Sequence, residues 1–560
     1  MKLLKSNITR IGATLAVVAV VVTGLWATKD DFGLGRNMEI MVNMMREISS
    51  LYVDKVSPDK LMKDGAAGMV RNLDPYTQYM SEEEMSDFEV MATGKYGGIG
   101  ATIRMRRDSS GVVIAQPYKG TPSDLAGLKI GDRFLMIDGV DVTKSSTADI
   151  SSRLKGVPGT IVKIGIERMM TGEKEEMELT RARIAIPGVP YSGYVADGIG
   201  YISHNDFTDG CYDEMRAAVN SLISEGELKG LILDYRDNGG GSLTEAVKIL
   251  SLFVPKGSEV VTMRGRSGQG TRRHLTESAP MLGEVPIVVL INGNSASAAE
   301  IVSGALQDMD RAVLMGQPSF GKGLVQTMAP VGYNAYLKVT TSKYYIPSGR
   351  CIQRINYSSH DGTTSEMVPD SLMREFRTRN GRKVYEGKGL MPDVRVKPEY
   401  ISSFAVMLYN LGYIEEFLDD YMRRNPNQQI DNKTFSITDQ DYEDFVKYME
   451  DKSVPYESRT RLALDMLKKT SEEERYDDAF KEDLLLLEKK LKDQKADNLR
   501  RYRQEITDML NGDIVLRHSY AEGLIEHNLV SDSLVIKAVE LLRNGEEHSR
   551  ILAEQDTEKQ

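Results

Sequence analysis

The sequence of 560 residues is long enough for three or four domains of about 150 residues. Hydrophobic residues make up 41% of the chain and charged residues 27%, which excludes both a fully disordered protein and a membrane protein with many spans. Acidic residues outnumber basic ones by 82 to 71, and residues 401–560 hold 35 acidic against 23 basic residues. Nucleic-acid binding requires a domain with an excess of basic residues, so we expect the protein to have no nucleic-acid partner. The two cysteines, Cys211 and Cys351, are too few for a disulfide scaffold, and the sequence leaves open whether they pair.

The N-terminus has the features of an export signal. Three basic residues, Lys2, Lys5 and Arg10, precede an uncharged apolar run over residues 11–28. Such a run is long for a cleaved signal and slightly short for a spanning helix of about 20 residues. Residues 1–30 are therefore predicted to be either a cleaved signal peptide or a signal anchor in the inner membrane. The rest of the chain is predicted to be exported to the periplasm, with membrane contact through this segment only.

Two small regions follow this segment. Apolar residues recur at helical spacing between Met38 and Met91, which predicts a helical region over residues 31–92. In residues 93–185, glycine turns separate short runs rich in Val, Ile and Thr, a pattern typical of a small β domain. A helical stretch near residues 147–154 is predicted to interrupt the strands.

A glycine-rich loop opens the predicted β domain. Five residues form it: Tyr96, Gly97, Gly98, Ile99 and Gly100. Successive glycines allow backbone N–H groups to converge on an anion, and an exposed strand edge beside them can pair with an extended peptide. Together with the segments Pro122–Asp132 and Ile137–Gly139, this loop resembles that of bacterial PDZ domains. The resemblance implies that the loop binds the carboxylate at the C-terminus of a peptide.

Apolar strand-like runs alternate with helical segments in residues 186–398. The segments Gly230–Asp234 and Ile287–Ile291 have the composition of buried strands, and a helix is predicted to begin at Ala298. This alternation predicts an α/β domain whose sheet is at least partly parallel. Residues 399–560 are predicted to be helical, with their charged runs as solvated helix faces, and no functional chemistry stands out there.

The strongest chemical signal is a serine at the junction of a buried strand and a helix. The segment Ile291–Glu300 reads INGNSASAAE, and Ser297 directly precedes the predicted helix. A side chain at this junction is presented above the carboxyl edge of the sheet, where free N–H groups of the helix can stabilise an oxyanion. Because the same position suits a helix cap, the serine alone is compatible with either role.

No histidine offers a convincing base for this serine. Three of the six histidines lie in the acidic helical region: His518, His527 and His548. The sequence around Ser297 lacks the Gly-x-Ser-x-Gly elbow of serine hydrolases, and the chain lacks the His-Glu-x-x-His motif of metalloproteases. We therefore predict no metal and no cofactor, and we expect a base of another kind.

Lys322 is the candidate base. Glycines on both sides allow the backbone to approach closely, and Phe320, Leu324 and Val325 can surround the amine with apolar groups. Such burial disfavours the charged form of a lysine and lowers its pKa towards neutrality, which enables it to accept a proton from a hydroxyl. Gln326 follows four residues later, on the same face of a strand or one turn along a helix, and its side-chain oxygen can hold the amine.

The segment Asn292–Gln326 resembles the C-terminal processing peptidases, also called tail-specific proteases. Lys322 follows Ser297 by 25 residues, which is the separation of the Ser-Lys pair in that family and selects Ser297 over Ser295. Three further stretches match the family: residues 234–241, 343–350 and 389–393. The similarity extends over residues 38–398, about two-thirds of the chain.

The resemblance implies a role for each matching residue. Ser297 would be the nucleophile, Lys322 the general base, and Gln326 the residue that orients the lysine. The oxyanion hole would consist of backbone N–H groups from these residues: Ala298 and one of Gly240 and Gly241. The sequence does not select between the two glycines.

The resemblance also implies the architecture and the function. The fold would be α/β multidomain, with an N-terminal helical region, an inserted PDZ-like β domain, an α/β protease core of the crotonase-like, ClpP-like type, and a C-terminal all-helical region. The predicted function is that of an exported serine endopeptidase that cleaves peptide bonds near the C-termini of proteins. Its partners would be proteins or peptides with free C-termini, and the sequence does not define its oligomeric state.

Two other functions fit parts of the sequence. The segment Gly316–Lys322 satisfies the Gly-x4-Gly-Lys pattern of nucleotide-binding loops, but Gly323 stands where Ser or Thr would bind magnesium, and the following residues alternate like β-strands. The second alternative is an inactive exported scaffold that binds protein C-termini through its PDZ-like domain. The presence of Ser297, Lys322 and Gln326 argues against it.

Overall fold

The computed structural model describes residues 29–266, 270–357, 366–367, 373–491 and 495–553. The predicted export segment in residues 11–28 lies outside this part of the chain. Within it, no helix combines the length and the apolar composition needed to cross a membrane. The described chain divides into two compact units, the smaller of which contains residues 29–82 together with residues 326–340 and Tyr357.

The N-terminal region is helical with one short strand. Its elements are α1 (Lys29–Leu51), α2 (Pro58–Val70), β1 (Gln78–Met80) and α3 (Glu82–Thr93). Between α2 and β1, the carboxylate of Asp74 accepts hydrogen bonds from the N–H groups of Tyr76 and Thr77, which closes a tight turn. This region agrees with the helical region predicted from the sequence, except for the strand.

The next region is a small antiparallel β domain. Its elements are β2 (Lys95–Gly98), β3 (Ala101–Met105), β4 (Val112–Pro117), α4 (Pro122–Leu125), β5 (Arg133–Ile137), β6 (Val140–Asp141), α5 (Thr147–Leu154), β7 (Ile161–Glu167), β8 (Lys174–Thr180) and β9 (Ala182–Ala185). The main sheet has the order β3-β4-β5-β7-β8, so β3 is an edge strand. Strands β2 and β9 pair where the chain enters and leaves the domain. Helix α5 packs against β3 and buries Ile150 and Leu154.

The largest region has α/β architecture. Its elements are β10 (Tyr191–Ala196), β11 (Ile199–Ser203), α6 (Cys211–Glu225), β12 (Gly230–Asp234), α7 (Leu243–Leu250), β13 (Glu259–Gly265), β14 (Arg272–Leu275), β15 (Ile287–Ile291), α8 (Ala298–Asp308), β16 (Val313–Gly316), β17 (Leu324–Gly332), β18 (Ala335–Tyr345), β19 (Ile355–Asn356), β20 (Glu366–Met367), β21 (Glu375–Arg377), β22 (Lys383–Tyr385) and β23 (Val394–Arg395). A sheet runs in the order β10-β11-β12-β15-β16-β23. Strands β10 and β11 are antiparallel and the other pairs are parallel, as expected from the alternating pattern.

The described part of the C-terminal region contains helices and no strand. The helices are α9 (Ser403–Asn410), α10 (Tyr413–Arg424), α11 (Asp439–Tyr448), α12 (Arg459–Glu474), α13 (Asp477–Lys490), α14 (Lys495–Arg501), α15 (Arg503–Leu529), α16 (Ser533–Arg543) and α17 (Gly545–Leu552). Helix α15 bends at Tyr520, whose φ of 56° is outside the helical range. The all-helical prediction for this region is confirmed.

The large sheet is covered on both faces. Alternate residues of β15 point in opposite directions, so Val289 and Ile291 join the core formed with α6, α7 and α8. Val288 and Leu290 lie on the other face, in a second core with Leu534 and other apolar residues of α16 and α17. The uninterrupted apolar composition of β15 follows from this two-sided burial. The C-terminal helices therefore complete the hydrophobic core of the α/β region.

Buried ion pairs join the PDZ-like domain to the C-terminal helices. Arg104 contacts Glu415 at 2.7 Å, and Arg106 contacts Asp419 at 2.6 Å. Asp419 also accepts a hydrogen bond from Arg517 at 2.7 Å. The side chains of Glu415 and Asp419 are only 6% and 3% exposed. Since a buried charge is strongly destabilising without a partner, these contacts fix the domain against the helices.

Candidate active site

Ser297 occupies the junction between strand and helix that the sequence indicates. Strand β15 ends at Ile291, and Ser297 is the residue directly before α8. Its backbone has φ 56° and ψ −114°, whereas an ordinary capping serine has an extended backbone. A positive φ is unfavourable for a residue with a side chain, costs about 1–3 kcal/mol, and is concentrated at functional sites. The strained backbone therefore singles out Ser297 as a candidate functional residue, although the serine also occupies the N-cap position of a capping box with Glu300.

The neighbouring Ser295 has a structural role. Its side chain is fully buried, and its hydroxyl donates a hydrogen bond to the carbonyl oxygen of Tyr235 at 2.8 Å. The same hydroxyl accepts a hydrogen bond from the N–H group of Asn292 at 2.9 Å. These bonds fix the loop between β15 and α8. They also distinguish Ser295 from Ser297 as a candidate nucleophile, because the Ser295 hydroxyl is already hydrogen-bonded to the backbone of the loop.

One buried carboxylate binds both the Ser297 and the Lys322 backbones. Oε2 of Glu300 accepts hydrogen bonds from the N–H groups of Ser297 and Lys322, each at 2.9 Å. Oε1 accepts bonds from the N–H of Gly321 at 2.7 Å and from the hydroxyl of Ser319 at 2.5 Å. Burial raises the pKa of Glu300 to about 7, and the four hydrogen bonds oppose that increase. The carboxylate thus holds the start of α8 beside the loop that carries the lysine.

The loop that carries Lys322 depends on its glycines. A Cβ atom on Gly321 would lie 2.4 Å from the Cβ of Arg354, and one on Gly323 would lie 2.9 Å from the N atom of Gln353. The close approach expected from the sequence is therefore present at both positions. Lys322 itself is half-buried.

The three residues predicted to surround the lysine amine differ in burial, and their role around the amine stays a prediction. Leu324 is buried and Val325 packs against the main core, whereas the side chain of Phe320 is 42% exposed. Phe320 is turned outward although its N–H group donates a hydrogen bond to the carbonyl oxygen of Ser295. The loop is thus anchored through its backbone at this point, and the aromatic ring is left partly in solvent.

Gln326 belongs to the smaller compact unit, whereas Ser297 and Lys322 belong to the larger one. The Nε2 atom of Gln326 donates a hydrogen bond to the hydroxyl of Thr340 at 3.1 Å. Thr340 in turn donates to the carboxylate of Asp74, also at 3.1 Å. The predicted role of Gln326 in orienting the lysine stays a prediction.

Of the predicted oxyanion-hole glycines, Gly240 lies next to Ser297, and Gly241 packs against Phe207. A Cβ atom on Gly240 would lie 2.7 Å from the Cβ of Ser297 and 2.8 Å from the N atom of Ala298, so only glycine fits there. However, the N–H group of Gly240 donates a hydrogen bond to the Asn238 side chain at 2.8 Å. Gly240 could act as a donor only if this bond broke, which favours Gly241 of the two candidates. Ala298 is in the first turn of α8, where N–H groups lack an acceptor within the helix.

His204 lies near this loop without the features of a catalytic base. Its carbonyl oxygen accepts a hydrogen bond from the side chain of Asn238 at 2.6 Å. Its Nε2 atom contacts the carbonyl oxygen of Asp206, and its ring packs against Phe207 and Tyr235. Burial lowers the pKa of His204 to about 3, so the ring is neutral at physiological pH. Among the described residues, no group of three or more His, Cys, Asp or Glu side chains could hold a metal ion.

The predicted carboxylate-binding loop has a defined backbone. Tyr96, Gly97 and Gly98 belong to β2, and Ile99 is buried in the core of the domain. Gly100 has φ 79°, and its carbonyl oxygen accepts hydrogen bonds from three donors: the N–H of Tyr118 and the hydroxyls of Thr121 and Ser123. The loop leads directly into the edge strand β3. Binding of a carboxylate here stays a prediction.

Two points that the sequence left open have clear structural answers. Cys211 and Cys351 are both free thiols. The segment that resembles a nucleotide-binding loop begins at the end of β16 and leads into strand β17. A phosphate-binding loop of that type requires a helix at this point, because the helix N-terminus supplies part of the phosphate site. The structure therefore argues against nucleotide binding.

Glu300 is the residue that the sequence analysis failed to single out. It lies three residues after Ser297, and Ser-x-x-Glu at the start of a helix is the pattern of a capping box, in which the glutamate binds the N–H of the serine. That pattern predicts the contact with Ser297. It does not predict the contacts with Ser319, Gly321 and Lys322, because these residues come close only in the folded chain.

Comparison with known proteins assigns a family to three parts of the chain. Residues 198–361 match the model of peptidase family S41, residues 113–168 match a PDZ domain, and residues 404–542 match the "probable PDZ-protease, C-terminal helical domain". The carboxy-terminal-processing protease of Bartonella bacilliformis is 33% identical over 368 residues, which cover 65% of this chain and 81% of that protein. The carboxyl-terminal-processing protease of Synechocystis sp. is 33% identical, with 51% of this chain and 67% of that protein covered.

Solved structures include similar chains. The photosystem II D1 C-terminal processing protease has 24% sequence identity and a TM-score of 0.35, with 67% of this chain and 96% of that chain covered. The PDZ domain of a carboxy-terminal protease from Vibrio cholerae, solved with a peptide, has 26% identity and a TM-score of 0.15, and covers 16% of this chain and 99% of that chain.

The class of protein follows from the architecture and the matches together: an α/β peptidase with a PDZ domain and a C-terminal helical domain. The chain belongs to peptidase family S41, and its relatives include carboxy-terminal-processing proteases. The predicted family and fold class are thereby confirmed.

Replacing Glu300 by Gln tests the role of the buried carboxylate. An amide has only one oxygen, so its NH2 group would face two of the four hydrogen-bond donors and displace either Ser297 or the Lys322 loop. We expect kcat/KM for peptide cleavage to fall about 10- to 100-fold, with an unchanged circular dichroism spectrum. Glu505→Gln, which alters a half-buried carboxylate that accepts the backbone N–H of Ser402 in the C-terminal helical region, is the matched control. Equal activity of Glu300→Gln and wild type would contradict this role.

Proposed function

We propose that the protein is an exported serine endopeptidase of the C-terminal processing type, with Ser297 and Lys322 as its catalytic dyad. The observation that carries the proposal is the binding of both backbone N–H groups by one oxygen of Glu300. The strained backbone of Ser297 at the start of α8 supports it independently. Membership of a peptidase family supports the reaction class, and the basic and apolar N-terminal sequence supports export to the periplasm.

The proposed reaction begins with proton transfer. The neutral amine of Lys322 accepts the proton of the Ser297 hydroxyl as the serine oxygen forms a bond with the carbonyl carbon of the scissile peptide. The electron pair of the carbonyl moves onto its oxygen, and the N–H groups of Ala298 and Gly241 stabilise this oxyanion. The loss of one such donor typically reduces the rate about 100- to 1000-fold.

The second half of the reaction regenerates the enzyme. The C–N bond breaks, the amine product takes the proton from the Lys322 ammonium, and Ser297 is left as an acyl ester. Water then attacks the ester carbonyl while Lys322 accepts its proton. Collapse of this second intermediate breaks the bond to Ser297, which recovers a proton from the lysine, and releases the carboxylic acid product. Gln326 is the proposed orienting residue for the lysine.

The PDZ domain is proposed to bind the C-terminus of the substrate. Because β3 is at the edge of its sheet, an extended peptide can add to it as a further strand. Helix α5 contacts β3, so a peptide added to the free edge of β3 would lie beside this helix. The loop Tyr96–Gly100 at the start of β3 would then supply N–H groups to the terminal carboxylate.

The dyad is tested with alanine variants. Ser297→Ala removes the nucleophile and Lys322→Ala removes the base, so each is expected to abolish peptide cleavage while circular dichroism shows a folded protein. Ser303→Ala is the matched control, since its hydroxyl is buried on the same helix without a hydrogen bond to any described residue. An acylating active-site probe should label the wild type and the control but not Ser297→Ala. Full activity of either dyad variant would refute the assignment and favour a non-catalytic scaffold.

The role of the PDZ domain is tested by modifying the substrate. Amidation of the C-terminus removes the charge that the Tyr96–Gly100 loop would bind, and hydrogen bonds to a charged group contribute about 1.5–3 kcal/mol. We expect binding, measured by calorimetry with Ser297→Ala, to weaken about 10- to 100-fold. Acetylation of the N-terminus of the same peptide serves as the control. If amidation changed neither binding nor turnover, the domain would not recognise free C-termini.

A further inference from the structure

A buried tyrosine hydroxyl contacts the backbones of both dyad residues. Tyr344 lies near the end of β18, and its side chain is only 1% exposed. Its hydroxyl is within hydrogen-bond distance of the carbonyl oxygen of Ser297, at 3.2 Å, and of the carbonyl oxygen of Lys322. Its own N–H group donates to the carbonyl oxygen of Gly323 at 3.1 Å. The reaction described above makes no use of this residue.

We propose that Tyr344 is a positioning residue for catalysis: its hydroxyl fixes the backbones of Ser297 and Lys322 in the arrangement that proton transfer between their side chains requires. This inference rests on the proposed dyad. It adds the requirement that the backbones of Ser297 and Lys322 be held in place. Neither residue meets this requirement by itself, because the direction of each side chain depends on a backbone that other residues hold.

The contacts of Tyr344 complement those of Glu300. Glu300 accepts hydrogen bonds from the N–H groups of Ser297 and Lys322, and the single O–H hydrogen of Tyr344 is shared between the carbonyl oxygens of the same two residues in a three-centre hydrogen bond. Each dyad residue is therefore held on both sides of its Cα atom. Since the positions of N, Cα and C determine the direction of the Cα–Cβ bond, these contacts together determine where both side chains begin.

The backbone strain at Ser297 explains why a second contact is needed. A residue with φ 56° and ψ −114° remains in that conformation only when its surroundings hold it there. The carbonyl oxygen of Ser297 also accepts the N–H of Ile301 at 2.9 Å, as in any helix start, but this bond does not involve the lysine loop. The Tyr344 hydroxyl connects that carbonyl to the lysine loop. Without it, Glu300 is the described side chain that still binds the backbones of both dyad residues, and the Phe320 N–H bond to Ser295 joins their loops farther from the two Cα atoms.

Removal of the single oxygen tests the proposal. Tyr344→Phe keeps the buried ring, and Tyr345→Phe removes the same atom from the next residue, whose ring lies under Arg264 instead. We expect kcat of Tyr344→Phe to fall about 10- to 100-fold, because small displacements of reacting groups have effects of this size. KM should stay close to the wild-type value, since Tyr344 is not proposed to contact substrate. Tyr345→Phe should match the wild type in both parameters.

Labelling by an acylating probe distinguishes positioning from stability. If Tyr344 positions the dyad, the probe reacts with Tyr344→Phe more slowly but finally labels as large a fraction of the protein as in wild type. If Tyr344 only stabilises the fold, the final labelled fraction falls in proportion to activity, and the proposal is overturned. Wild-type kcat in Tyr344→Phe overturns it as well. Failure of the wild type to cleave peptides or react with the probe would instead refute the dyad itself.

A second variant applies if Tyr344→Phe does not fold. 4-Aminophenylalanine at position 344 places an N–H donor where the hydroxyl stood. We expect this variant to fold and to recover most of the wild-type kcat. A folded variant with this donor and a kcat as low as that of Lys322→Ala would show that a donor at this position is not sufficient, which contradicts the proposed role.

Discussion

The geometry of the site depends on a carboxylate with almost no access to water. Glu300 is fully buried and accepts four hydrogen bonds, three from backbone N–H groups and one from Ser319. Inside a protein such bonds are electrostatically stronger than in water, and an unpaired donor in their place would be costly. Backbone donors cannot rotate away as side chains do. The carboxylate therefore joins the start of α8 and the lysine loop into a single rigid element.

The ionisation of Glu300 links this element to pH. Its pKa in the fold, about 7, is above the ordinary value of 4.5, so the folded chain retains a proton between these values that the unfolded chain has lost. The contribution of this group to the free energy of unfolding accordingly falls as pH rises through that range, and is constant above it. Burial is the dominant cause, since the hydrogen bonds act in the opposite direction. An ionised Glu300 at this position therefore lowers the free energy of unfolding near neutral pH.

The sequence predicted the strands, the strand–helix junction and the close backbone approach at the site, because each of these features depends on residues that are neighbours in the chain. The buried strands at residues 230–234 and 287–291 are continuous apolar runs, and the structure gives them the predicted bounds. The junction before Ala298 follows from the end of one such run. The glycines beside Lys322 likewise indicate a close approach that the structure contains. Each of these features depends on neighbouring residues, which is the information that composition and periodicity carry.

The features that the sequence did not indicate are contacts between distant segments. Tyr344 meets Ser297 across 47 residues and Arg104 meets Glu415 across 311 residues, so no local pattern predicts either contact. The outward turn of Phe320 and the bond that engages the Gly240 N–H are also consequences of packing. The acidic C-terminal region had no recognisable chemistry in its sequence. Its role in covering the second face of the sheet follows from the packing of Val288 and Leu290 against α16 and α17, which depends on the folded chain.

The most direct test of the account is a crystal structure of the protein with a peptide-like inhibitor bound covalently to its active site. The account predicts an adduct on the Ser297 oxygen, the Lys322 amine within about 2.6–3.2 Å of that oxygen, and Glu300 with the N–H groups of both residues still bound to it. An adduct on another residue, or a Lys322 amine turned into solvent away from Ser297, would contradict it.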